Sequence, residues 1–184
     1  VSAAEPSSYS KIMGCKEECF YKVSNTIREC VRIKKEKGLS VTLGIQMVLM
    51  PQLADQIIPI AKFGKELGVD YSVIKHCSDD ETGALNIDYS KYSDLLKLLK
   101  EAETYSDDDY LVKAKWSKII SEGKRKYSKC YGPPFIMQLS GSGTVAPCGM
   151  LFNRKFKRFH IGNLAESSFK ELWKGDRYWE IMDY

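Results

Sequence analysis

Ser40-Val-Thr-Leu-Gly-Ile-Gln-Met-Val-Leu-Met-Pro51 and Asp70-Tyr-Ser-Val-Ile-Lys-His76 are the stretches whose reading decides the fold. In the first, Val41, Leu43, Ile45, Met47 and Leu49 alternate with Thr42, Gly44, Gln46 and Val48, the two-residue period of a strand with one apolar face and one mixed face. Pro51 ends it. Between the stretches, Asp55 to Leu67 reads as a helix with Asp55 as N-cap, a small kink at Pro59 and Gly68 after its end. Strand, helix, strand with short links predicts parallel strands joined by a crossover helix, an α/β class.

Working outward, residues 17–37 carry Phe20, Val23, Ile27, Cys30 and Val31 at helical spacing, with charged residues opposite and Gly38 at a left-handed cap. Val1-Ser2-Ala3-Ala4 reads as the tail of a strand. With Val1 in first place instead of Met, it suggests an excerpt of a longer protein. Beyond His76 the pattern changes. Asp79-Asp80-Glu81 belongs to a polar loop, and Ile87–Glu103 and Tyr110–Glu122 read as two helices separated by the capping run Ser106–Asp109. Tyr131-Gly-Pro-Pro134 breaks the chain. Phe135–Leu139 and Thr144–Ala146 then form a hairpin around Ser140-Gly-Ser-Gly143, and Ser167 onward reads as one helix.

Composition narrows the function classes. An apolar fraction of 43% against 28% charged excludes a disordered chain. The longest apolar run, Met47 to Pro51, is far short of a membrane span. Twenty-eight basic and twenty-four acidic residues are interleaved, for a net charge of +4, so nothing demands nucleic acid. The short cluster Arg154-Lys-Phe-Lys-Arg158 reads as a solvated turn.

Six cysteines need an account. A disulfide framework is disfavoured by the normal core. Cys30 sits on an apolar helix face and reads as core; Cys15 and Cys19 have no second pair at zinc-finger spacing. Cys77 directly follows a parallel strand, where site residues gather, and reads equally as a partly buried thiol. Cys130 and Cys148 fall at the two ends of the expected hairpin, twelve residues before and four after Gly143. A turn there brings thiolates to one side, and thiolates so held suit iron–sulfur or zinc. Spacing alone leaves a metal site and two isolated thiols equally open.

The order of words around these cysteines resembles a known family. Cys130-x12-Gly143-x4-Cys148, then Ile161-Gly-Asn163, then Ser168-Phe-Lys-Glu-Leu-Trp173, is similar to the auxiliary-cluster motif of radical S-adenosylmethionine enzymes with a SPASM or twitch domain. Val1 to Gly14 resembles the fourth strand and following turn of their barrel. Val48–Pro51 and Leu67–Tyr71 resemble the fifth strand's end and the entry to the sixth. The family's C-x-x-x-C-x-x-C loop and the downstream C-x-x-C of its auxiliary motif are absent; Ala4 replaces an Asp, and Leu53 stands where many relatives carry Asn.

The resemblance implies three segments: residues 1–77 as the second half of a partial (β/α)6 barrel, 78–129 as a helical bridging segment, and 130–184 as an incomplete α+β twitch/SPASM domain. It implies a parent enzyme that cleaves S-adenosylmethionine reductively and uses the 5′-deoxyadenosyl radical to abstract hydrogen from a small-molecule or peptide substrate. The electron donor would be flavodoxin or ferredoxin, the compartment the cytoplasm, and neither nucleic acid nor membrane a partner. Ser2 and Gln46 would contact the cofactor, Lys75, His76 and Cys77 the substrate, and Cys130 and Cys148 an auxiliary [4Fe–4S] cluster. Two other readings stay open: a non-catalytic α/β binding module, and a zinc-bound structural domain.

Overall fold

The computed structural model describes residues 1–79, 83–124 and 127–183. Asp80 and Glu81, two of the three acids of the polar loop, lie outside the described residues. The chain divides into two compact units, residues 1–124 and 125–184. Its class is mixed α/β, with one small sheet in each unit. Among the described residues no helix is long and apolar enough to cross a membrane.

In the first unit, α1 (Pro6–Met13) and α2 (Glu18–Glu36) precede β1 (Gly44–Leu49), α3 (Ile57–Leu67) and β2 (Tyr71–His76). The residues after Ala4 are thus a helix, where the resemblance suggests a turn. Val1–Ala4 forms no strand, but the Val1 amino group donates to the Gln46 carbonyl at 2.9 Å and so runs beside β1. A 3-10 turn, Pro51–Gln56, takes up the start expected of α3. Gly14, Gly38 and Gly68 each leave a helix with positive φ.

β1 and β2 pair in parallel, Gln46 opposite Val73 and Val48 opposite Lys75. The expected crossover is therefore present. Ile45, Met47, Leu49, Ile74, Ile57, Ile60 and Leu67 belong to one buried core. Cys30, expected in that core, is exposed on α2; Phe20, Ser24 and Val31 are the residues the helix buries.

The segment after His76 departs from expectation. A 3-10 turn (Tyr89–Leu95) leads into α4 (Leu96–Glu103). Tyr110–Glu122 is not one helix: it is a strand, β3 (Leu111–Ala114), and a single helical turn, α5 (Trp116–Ile119). Tyr110, Val112 and Ala114 are buried while Leu111 and Lys113 are exposed, a two-residue period that the helix-favouring lysines and alanine mask. β3 adds in parallel to β2, Val73 opposite Lys113 and Ile74 opposite Ala114. Its outer edge is blunted by side chains. Val112 N–H donates to Ser106 Oγ and Ala114 N–H to Glu103, each at 2.9 Å.

One face of this sheet packs on helices. The other presents Gly44, Gln46, Val48, Tyr71, Val73, Lys75, Leu111 and Lys113, all exposed or half-buried.

In the second unit, β4 (Gln138–Leu139) and β5 (Thr144–Ala146) make the expected hairpin, and β6 (Gly162–Asn163) pairs with β5. The final helix is two, α6 (Phe169–Lys174) and α7 (Asp176–Asp183), broken at Gly175. Val145, Ile161 and Tyr178 form the core, with Trp173 stacked on Tyr178 at 4.7 Å between ring centroids.

Candidate functional site

Chemistry-bearing side chains gather in two places. In the first unit, the carboxyl ends of the parallel strands open into a pocket of about 490 Å3 lined by Lys75, His76, Cys77, Ser78, Lys115 and Lys118, among others. The carboxyl end of parallel strands is where open α/β sheets bind ligands. Lys75, His76 and Cys77, expected there from their place at the mouth of β2, all line it. Lys115 and Lys118 escape the sequence reading because it makes their segment a helix; the alternation from Tyr110 to Ala114 is the signal for the strand that carries them there.

Strand alternation sends Lys75 and His76 to opposite faces. Lys75 lies with Val48 and Gln46 on the open face. His76 is buried against Tyr89 and Tyr92, its ring 5.8 Å from each. His76 Nδ1 donates to the Cys77 carbonyl at 2.7 Å, and Nε2 is buried without a hydrogen-bond partner. The Tyr92 hydroxyl donates to the Leu49 carbonyl at 2.5 Å and accepts from Cys77 N–H at 3.1 Å, and so ties the ends of β1 and β2 together. Burial pushes the Tyr92 hydroxyl up to about 12. Burial, then the Asp79 charge, also raises the Cys77 thiol against a smaller opposing effect of Lys75, so Cys77 is a thiol at neutral pH and a poor nucleophile.

Of the expected cofactor contacts, Gln46 lies exposed on the open face of β1, and Ser2 follows Val1, whose amino group donates to the Gln46 carbonyl. Cys15 and Cys19 pack half-buried on the core.

In the second unit, Cys130 and Cys148 are free, exposed thiols. Cys148 follows Pro147 two residues after β5. Cys130 lies eight residues ahead of β4 and so does not end the hairpin, as the spacing suggests. It lines a groove of about 470 Å3 together with Pro133, Pro134, Pro147, Trp179 and Met182, which places Cys130 beside the approach to Cys148. Gly143 turns the hairpin at φ +83°, under the Asn163 side chain. Asn163 Nδ2 donates to the Ser142 carbonyl at 3.0 Å and Asn163 Oδ1 accepts from Ala165 N–H at 2.8 Å. Ser168 and Glu171 form a reciprocal capping box at the start of α6. His160 is structural: its Nε2 donates to the Leu151 carbonyl at 2.8 Å.

Thiolates are the ligands that iron–sulfur clusters require, and two accessible thiols fit half of a four-thiolate set. Among the described residues no three His, Cys, Asp or Glu side chains gather as a metal-holding group, so these two do not complete a site by themselves.

Residues 130–183 match the SPASM family, an iron-sulfur cluster-binding domain. The match supports an auxiliary cluster-binding role for this segment. Comparison of the chain with the curated proteins and with the solved structures gave no match.

Proposed function

We propose that the chain is a portion of a radical S-adenosylmethionine enzyme, in which residues 130–183 hold an auxiliary iron–sulfur cluster through Cys130 and Cys148. The match over that segment carries the reading. The cluster would supply electron transfer or structural cross-linking. What the residues of this chain do is position two thiols: Gly143 sets the turn, Asn163 locks it, and Pro147 stiffens the approach to Cys148.

The parallel sheet supports the barrel half of the proposal. Parallel strands are ordinarily covered on both faces. Here the face with Gln46, Val48, Val73 and Lys75 is exposed or half-buried, as strands of a partial (β/α)6 barrel would be toward its interior. On this reading Ser2 and Gln46 would face S-adenosylmethionine, which when bound would supply radical chemistry, and Lys75, His76 and Cys77 would lie on the substrate side. A flavodoxin or ferredoxin would be the electron donor. The position of both sites on exposed protein surface is compatible with a cytoplasmic enzyme.

The test is the iron and acid-labile sulfide content of the anaerobically reconstituted protein, wild type against Cys130→Ala/Cys148→Ala. The reading expects the double variant to lose iron and sulfide together. Iron that survives the replacement, or zinc in place of iron in the wild type, overturns it; zinc would instead make this a structural metal domain.

A further inference from the structure

The pocket at the carboxyl ends of β1, β2 and β3 gathers three lysines. Lys75 closes β2 on the open face. One step beyond the last paired residues, Ile74 and Ala114, the parallel register sets Lys115 next to it, and Lys115 N–H donates to the Ile74 carbonyl at 2.8 Å. Lys118 lines the same pocket one helical turn on. Like charges side by side on a sheet destabilise it. Among the described residues none of Lys75, Lys115 and Lys118 has a carboxylate partner. Asp79, whose field reaches Cys77, accepts from the Leu85 and Ile87 amides.

Three ammonium groups at one pocket suit a dianionic group with three terminal oxygens, which phosphate presents and a carboxylate, with one charge on two oxygens, does not. The His76 ring takes no part: it packs on Tyr89 and Tyr92 on the opposite face, with Nε2 sealed from solvent.

We propose that this pocket binds a phosphate group, with Lys75, Lys115 and Lys118 on its charged oxygens and the Ser78 and Ser117 hydroxyls at its rim. The pocket volume, about 490 Å3, leaves room for the rest of a small phosphorylated molecule. The proposal rests on the strand ends being ligand-facing, as the radical-enzyme reading also requires, and it makes that substrate a phosphorylated one.

The experiment is titration of the 184-residue chain with inorganic phosphate at constant ionic strength, followed by amide NMR and calorimetry, with acetate as the comparison anion. Phosphate should shift the amides of residues 75–78 and 115–118. Lys115→Gln/Lys118→Gln, both at exposed positions, should weaken binding about tenfold. Lys97→Gln/Lys100→Gln, which removes equal charge from exposed positions on α4, should leave the affinity unchanged. Absence of those shifts, equal shifts with acetate, or equal weakening by the α4 variant overturns the proposal. Phosphate binding in a protein without iron sinks the cluster reading alone; iron lost on Cys130→Ala/Cys148→Ala without phosphate binding sinks this one alone.

Discussion

Tyr110→Phe tests whether residues 110–114 dock as a strand, on which the position of Lys115 and Lys118 depends. The Tyr110 hydroxyl donates to the Ala61 carbonyl of α3 at 2.7 Å and accepts from the Ser72 hydroxyl of β2 at 2.6 Å. Ser72 is fully buried, so removing the phenol oxygen leaves its hydroxyl without an acceptor; the Ala61 carbonyl keeps its helical partner. An orphaned buried hydroxyl costs about 1–3 kcal/mol, so Tyr110→Phe should destabilise by about 2 kcal/mol. Ser72→Ala leaves the Tyr110–Ala61 bond and should cost about 1 kcal/mol. The double variant removes the orphan as well as the bond, and should cost about 1 kcal/mol where independent effects would sum to about 3. Gly64 supplies a further check. A Cβ there would run into both the Ser72 and Tyr110 oxygens, so Gly64→Ala should be badly tolerated alone and partly rescued by Tyr110→Phe/Ser72→Ala. Urea unfolding of the wild type and the five variants measures this. Additivity of Tyr110→Phe and Ser72→Ala to within about 0.5 kcal/mol would refute the docking of β3 against α3 and β2.

Other outcomes follow from single elements. Asp70 is held below the usual carboxylate range by Lys34, then by the Leu43 amide. Its contribution is therefore full above the unfolded value near 3.8 and lost as pH falls through the lower folded value. The carboxylate is one-third exposed, so Asp70→Asn should cost only about 1 kcal/mol at neutral pH, and the gap from wild type should close on acidification; a gap independent of pH contradicts the ion pair. Ser168→Ala removes the capping box and should cost about 1 kcal/mol, read as faster amide exchange confined to residues 169–174. Gly143→Ala combines a positive φ with a collision against Asn163 Oδ1 and should destabilise the second unit by about 1–3 kcal/mol; an unchanged midpoint would mean that the turn is built otherwise.

What was legible in the sequence was whatever neighbours along the chain decide. The alternation from Ile45 to Leu49, the apolar stripe through Phe20 and Val31 and the glycines at 38 and 68 all express a local period or a local φ, and the structure follows them. The Gly143 hairpin, the Gly162-Asn163 turn and the Ser168–Glu171 box are local in the same sense. β3 is not. Lys113, Ala114 and Lys115 favour a helix in isolation, and residues 111–114 become a strand because β2 offers them a parallel edge and Ser106 and Glu103 satisfy the opposite one. The misread strand hid Lys115 and Lys118. Cys30 shows the converse limit: α2 places it at helical spacing with core residues, yet the buried arc of that helix, through Phe20, Ser24 and Val31, is narrower than its apolar stripe.

The same distinction bears on the two candidate sites. The candidate cysteine site lies in one continuous stretch, since hairpin, turn and capped helix follow one another within residues 130–183, the segment that matches the SPASM family. The lysine pocket is assembled across strands: Lys75 and Lys115 are forty positions apart and become neighbours only through the register of β2 and β3. Its charge is also a stability statement. A ligand that binds only the folded protein stabilises it by mass action, by about 2.7 kcal/mol at a hundredfold excess over Kd. If phosphate relieves the repulsion between Lys75 and Lys115, it must raise the unfolding midpoint of the wild type more than that of Lys115→Gln/Lys118→Gln. Removing the charges must also stabilise the phosphate-free protein slightly. A variant less stable than wild type without phosphate would mean that the lysines are held by contacts within the protein and not by a ligand.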